Sequence, residues 1–413
     1  MEPTGSAPDS HASNREKELK KLLLSPGGKA NDVKATSILE ACKWKDVEKL
    51  RTLATEDGGL VSDQYRRQAW PLLLGCTLRE EHSPVQLGLD VGNNWRDLPK
   101  HKDEDQVKLD VDRSFIYYPN NESAKEISQR KNDLSELILE VLRRKPYLHY
   151  FQGYHDICQV FLLVLNPPDR APAVARLSAL RIRDYMLPTL APSLAQLRLI
   201  PSIIRAVNPE LYNHLPLTQP FFAIPGIITM YAHDIQSYGE IARVFDVLLA
   251  REAVFSVYMF AQIVLQRADE LFEIPNDEPE LLHSVLSKLP KPLNLEVLIA
   301  NTSKLLKLHP PEKLATWREI STSSVLKTAR TADQVASQSL SDGHAYFKRQ
   351  VEELRWAEQR DKVLTLMWRY RKPLKQAGVT VMIGVLAFYL KKSPGPTGVI
   401  GAFGRYWYGY HGH

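Results

Sequence analysis

The chain has 413 residues, 44% of them hydrophobic and 24% charged, with a formal net charge of +5. That balance fits a globular protein with a large core, arranged as one large domain or two ordinary ones. No long basic block stands out, so nucleic-acid binding is not implied. The three scattered cysteines, Cys42, Cys76 and Cys158, exclude a disulfide framework and a cysteine zinc cluster, and point to a reducing compartment.

Residues 1–34 are polar and carry no signal peptide, which predicts a disordered segment. From Ala35 to Thr55, Ile38, Leu39, Cys42, Leu50 and Leu53 suggest a helix that Gly58-Gly59 stops. Ser62 opens a capped short helix through Arg66 and Trp70. Residues 77–106 read as loop with some helix. The clearest helix runs from Glu122 to Lys145, where Leu134, Leu137, Ile138, Val141 and Leu142 form one apolar stripe. A second starts near Tyr154 and ends at Asn166-Pro167-Pro168. The rest, to Leu308, keeps helical spacing between proline breaks, and alternating strand patterns are scarce. The fold class expected is all-α, with many helices packed on helices.

Beyond residue 315 the composition shifts. Residues 316–345 read as a linker, 346–373 as a charged helix, 374–392 as a membrane anchor and 393–413 as a short tail. Residues 377–390 carry no charge, and Lys391-Lys392 closes them. Fourteen residues of helix span about 21 Å, short of a hydrocarbon core of about 30 Å unless the flanking lysines snorkel. Basic residues are denser before this run than after it, which would keep the main domain on the cytosolic side.

Two segments carry the chemistry. Val107-Lys-Leu-Asp110-Val-Asp-Arg113 offers an arginine, and Tyr150-Phe-Gln152-Gly153 a glutamine. In nucleoside triphosphate hydrolysis an arginine offsets charge developing on the phosphoryl group, and a glutamine orients the attacking water. The chain has no phosphate loop of its own: Gly27-Gly28-Lys29-Ala30 lacks the upstream glycine and the Ser/Thr. His149 and His155 are not helically spaced for a metal, and no nucleophile elbow is present. Both groups are therefore suited to another protein's nucleotide.

Val107-x-x-Asp110-x-x-Arg113 resembles the arginine-finger motif of TBC-domain Rab GTPase activators, and Tyr150-x-Gln152-Gly153 with His155-Asp156 resembles their glutamine-finger motif. Arg66 with Trp70, Asn208-Pro-Glu-Leu-Tyr, His233-Asp234-Ile and Arg243-Val-Phe-Asp246 resemble further blocks of the family, in its order. The likeness covers residues 35–315. It is greatest to the branch of the family held in the endoplasmic reticulum membrane by a C-terminal helix, through Gly58-Gly-Leu-Val-Ser-Asp and residues 149–157.

The resemblance implies roles. Arg113 would enter the Rab active site and Gln152 would place the water. Asp110, one turn before Arg113, is spaced to hold its guanidinium. Tyr150, Gly153 and Asp156 would support the glutamine. Arg66, Trp70, Arg243 and Asp246 would be structural, with Arg66, Arg243 and Asp246 holding the fold by buried ion pairing. The activator would need no cofactor of its own, since GTP and Mg are carried by the Rab. It would face the cytosol from the endoplasmic reticulum membrane and regulate vesicle traffic to the Golgi. A Rab-binding scaffold without catalysis, or a membrane-tethered all-α adaptor, are the rival readings. One departure stands out: where the family usually has a tryptophan in an aromatic-rich helix, this chain has Gly226, after Pro225. That puts the regularity of the helix there in doubt.

Overall fold

Every regular element among the described residues is helical, as the expected all-α class requires. The computed structural model describes residues 26–76, 94–120, 122–215 and 219–392. The expected disorder of residues 1–25 and the tail 393–413 lie outside the described residues. The chain divides into two units, Met1–Val351 and Glu352–His413.

The first unit is built around the Tyr154–Val164 helix, which is buried on nearly every side. Such a helix belongs in a core because it has no polar stripe to offer water. Its Phe161 ring lies 5.5 Å from Trp70 and 5.9 Å from Phe245, brought by the Asp63–Leu73 and Tyr238–Ala250 helices. Beside this aromatic cluster the Asp246 carboxylate is wholly buried. It accepts from Trp70 Nε1 at 2.8 Å, from Arg66 Nε and Nη2 at 3.0 Å each, and from the Leu60 amide at 3.1 Å. Arg243 does not join this pair. Its guanidinium binds Glu296 at 2.7 Å and the carbonyls of Ala54 and Glu56 at 2.9 Å each, tying the Val47–Thr55 and Leu295–Leu308 helices together.

Three helices stack in series towards one side of this unit. Glu104–Val111 packs on Ala124–Arg144, which packs on Tyr154–Val164. Ser123 and Glu126 close a capping box at the start of Ala124–Arg144, and Leu134, Leu137, Ile138, Val141 and Leu142 are buried along it. Each such side chain contributes about 1.5–3 kcal/mol of burial. Arg143 clasps Glu104 through two nitrogens, at 2.7 and 2.9 Å, and fixes the outermost helix to this one.

Several expected boundaries move. The first helix begins at Pro26, inside the segment expected to be disordered, and ends at Lys43. Asn166-Pro167-Pro168 is both a stop and a start, because proline suits the first turn of the Pro167–Leu180 helix that follows. Residues 316–345 are not a loose linker: Val325, Leu326, Ala329 and Val335 are buried. Buried arginine and aspartate side chains hold that stretch, with Arg176 donating to the carbonyls of Val335 and Gln338 at 3.1 and 2.8 Å and Asp184 accepting from the Val325 amide at 3.1 Å.

The charged helix expected over 346–373 and the apolar run after it form one continuous element, Leu340–Lys392. Among the described residues no helix is long and apolar enough to cross a membrane. The transmembrane anchor expected at 374–392 is therefore not supported, and the physical reason is length: the uncharged run is about 21 Å against a bilayer core of about 30 Å.

Candidate functional site

The Glu104–Val111 helix closes with the Arg113 amide donating to the Asp110 carbonyl at 3.1 Å and the Ser114 amide to Val111 at 3.0 Å. That turn places Asp110 inward and Arg113 outward. Asp110 is fully buried, whereas the Arg113 side chain is 62% exposed. A buried carboxylate is costly unless donors surround it. Asp110 has three: Arg113 Nη2 at 2.5 Å, Gln106 Nε2 at 3.0 Å and the Tyr150 hydroxyl at 2.9 Å. Asp110 thus fixes the Arg113 guanidinium through one terminal nitrogen, Nη2, and the fork has further N–H donors to offer an outside acceptor.

Gln152 is exposed on the turn before the Tyr154–Val164 helix. Gly153, the next residue, caps that helix with φ +99°, a left-handed backbone that glycine adopts freely. A Cβ there would also meet Thr229 Cγ2 at 2.5 Å. Tyr150 joins the two candidate segments through Asp110. Burial and the neighbouring carboxylate push its phenol well above the usual tyrosine range, so it stays a donor. Asp156 lies 3.2 Å from a ring nitrogen of His155 and 3.2 Å from one of His233. The hydrogen bond to Asp156 raises the pKa of His233, while burial lowers that of His155.

Arg113 and Gln152 line the same open cleft, of about 600 Å³. Exposed Ile116 and Tyr117 continue the wall beside Arg113. Leu190, Pro225 and His233 also line the cleft. The segment that departs from the family's pattern therefore borders the cleft. Its helix, Ile224–Ile228, is only five residues long, and Met230 and Tyr231 follow with positive φ. A Cβ on Gly226 would lie 3.1 Å from Asp234 Oδ2 and 3.5 Å from the rings of Phe260 and Tyr231, so those groups fill the space a large side chain would need.

All four supporting residues, Asp110, Tyr150, Gly153 and Asp156, fall at or under this cleft. Arg66, Trp70 and Asp246 stand apart in the buried cluster described above, and Arg243 serves a separate tie. Two members were missed in the sequence: His233 as a partner of Asp156, and Gln159, which lines the cleft from inside. The signal for Gln159 was present, since it is an amide in the otherwise apolar run Ile157-Cys-Gln-Val-Phe-Leu-Leu-Val164.

The all-helical domain thus displays an arginine, held from beneath by the buried Asp110, and an exposed glutamine at one cleft. The Rab-GTPase-TBC domain family matches residues 63–272, and the chain belongs to that family. It is 35% identical over 272 residues to the human and bovine proteins named TBC1 domain family member 20, a match covering 65% of this chain and 65% of each relative. It is 33% identical over 314 residues to the Schizosaccharomyces pombe GTPase-activating protein gyp10, covering 75% of this chain and 81% of that one. Among solved structures, that of the Ypt/Rab-GAP domain of Gyp1p superposes with a TM-score of 0.49 at 16% identity, covering 63% of this chain and 93% of that chain.

Proposed function

We propose that this chain stimulates GTP hydrolysis by a Rab-type small GTPase, lending it Arg113 and Gln152. The observation that carries this reading is their display on one open cleft, with Asp110 and Tyr150 binding the two segments together below it. In the reaction a water oxygen bonds to the γ-phosphorus as its bond to the β–γ bridging oxygen breaks, releasing GDP and phosphate. Gln152 orients that water. The Arg113 guanidinium stabilises the charge spread over the transferring phosphoryl oxygens, an effect of about 10³–10⁵ in rate. GTP and Mg arrive with the partner, and this chain supplies neither.

Traffic between endoplasmic reticulum and Golgi is the process this reading assigns to the partner Rab, and the family resemblance supports it. Attachment at that membrane belongs to the same proposal, supported by the uncharged residues 377–390, with contact at the surface in place of a spanning helix. Sedimentation of the full chain with vesicles, lost on removing residues 374–413, tests that part.

The activity itself is tested by single-turnover GTP hydrolysis across a panel of Rab proteins, with the full chain and with Arg113→Ala. Stimulation by the first and not by the second is expected. Binding to a Rab with no stimulation would favour a non-catalytic scaffold.

A further inference from the structure

Arg113 and Gln152 each sit beside a turn, and a turn alone orients a long side chain poorly. The tie from Tyr150 to Asp110 lies on the N-terminal side of both residues. A second tie lies on the C-terminal side of both. Gln159, on the Tyr154–Val164 helix and 5% exposed, accepts the Phe115 amide on Oε1 at 3.0 Å. Its Nε2 points to the Tyr118 carbonyl at 3.5 Å.

The residue it holds is strained. Phe115 has φ +63°, a left-handed backbone that costs a non-glycine residue about 1–2 kcal/mol. Such a conformation persists where its surroundings over-determine it. Here the surroundings are a buried phenyl ring and the Gln159 amide. Burying an amide among apolar neighbours is itself costly unless its groups are bonded. Gln159 directs both of its groups at the loop that follows Arg113, from the helix that follows Gln152. It lies one helical turn after His155, and both line the cleft.

We propose that Gln159 is a positioning residue for GTP hydrolysis: its carboxamide clamps residues 115–118 and so sets the direction in which Arg113 leaves its turn towards the cleft. The proposal deepens the function assigned to Arg113 and Gln152 and rests on it. A carboxamide suits the task because it accepts one bond and donates the other. A carboxylate could only accept, whereas a protonated carboxyl could do both.

The test uses the full chain with Gln159→Met, which keeps length and removes both bonds, and Gln159→Glu. Gln159→Met is expected to lower kcat about 10- to 100-fold, as a misplacement of order 1 Å does, and to leave KM for the GTPase nearly unchanged. Amide exchange at Phe115 should quicken in the same variant. Gln159→Glu should regain kcat relative to the unaltered chain as pH falls, because the protonated carboxyl restores the donor to the Tyr118 carbonyl. A kcat for Gln159→Met equal to that of the unaltered chain overturns the proposal. So does a loss that tracks the folded fraction by circular dichroism, or a Gln159→Glu profile parallel to that of the unaltered chain. If the unaltered chain stimulates a Rab and Arg113→Ala does not, the functional reading stands whatever Gln159 does. If the unaltered chain stimulates no Rab in the panel, that reading fails and this proposal with it.

Discussion

The phenol of Tyr150 donates to the buried carboxylate of Asp110 at 2.9 Å, and so joins the segment that presents Arg113 to the segment that presents Gln152. Hydrogen bonds to a charged group are worth about 1.5–3 kcal/mol, and a lost donor leaves the carboxylate less well compensated. Tyr150→Phe is therefore expected to lower unfolding stability by about that amount in urea melts. It should also reduce the stimulated GTPase rate, since Asp110 would hold Arg113 less firmly. Unchanged stability and rate together would show that the phenol is dispensable.

Arg113→Ala is expected to remove about 10³–10⁵ of the stimulated rate and to cost about 1.5–3 kcal/mol of stability, the usual effect of losing one charged donor to a buried carboxylate. The side chain is 62% exposed, and what truncation removes is its single donor to the buried Asp110 carboxylate, which keeps Gln106 and Tyr150. Gln152→Ala should act similarly on the rate, and the double variant should be little worse than either single one, because the two groups serve one transition state. Single-turnover hydrolysis alongside thermal melts separates the two effects.

Gly153→Ala should destabilise by about 2 kcal/mol or more, from the left-handed backbone and the added methyl together. Adding Thr229→Ser, which removes the Cγ2 that the new Cβ would meet at 2.5 Å, should return part of this loss. The remainder is backbone strain and no side-chain change relieves it. A double variant no more stable than Gly153→Ala would assign the whole effect to φ.

Asp246→Ala is expected to cost about 3–5 kcal/mol, the usual result of removing one partner from a buried pair. It would strand the Trp70 indole N–H and leave Arg66 with Asp63 as its remaining carboxylate partner. Activity per folded molecule should be preserved, because the cluster is separate from the cleft. A loss of rate without a loss of stability would contradict that separation.

The His233–Asp156 contact predicts a pH dependence. The folded pKa of His233 is raised from its ordinary 6.5 by the hydrogen bond to Asp156. A raised value means that the contact stabilises fully below pH 6.5 and that the contribution is lost as pH rises through the folded value. His155, lowered by burial, works in the opposite sense: its contribution is present above pH 6.5 and is lost as pH falls through its folded value. The stability difference between the unaltered chain and His233→Gln should thus be largest in mild acid and vanish in mild alkali. Imidazole NMR titration should place the His233 midpoint above that of His155.

Much of this molecule was legible as sequence because its determinants are local. Apolar spacing marked the helices, since i, i+3 and i+4 positions share a face whatever the rest of the chain does. The pairing of Asp110 with Arg113 was legible for the same reason, as the two charges are one helical turn apart. What proved illegible depends on contacts between distant residues or on packing. Tyr150 and Asp110 are 40 residues apart, and Phe115 and Gln159 are 44 apart. The partner of Arg243 could not be read from its neighbour Asp246, because helix packing turned its guanidinium towards Glu296. Residues 316–345 had the composition of a linker, yet the carbonyls of that stretch are bonded by buried arginines that no spacing rule associates with it. The uncharged run near the C-terminus suggested an anchor by composition, and among the described residues no helix is long and apolar enough to cross a membrane. By itself, then, the sequence determined which chemical groups are offered and on which helices they ride. Only the tertiary structure decided that they meet at one cleft, with Asp110 and Gln159 holding it from either side, because burial selects partners by position in space and not by distance along the chain.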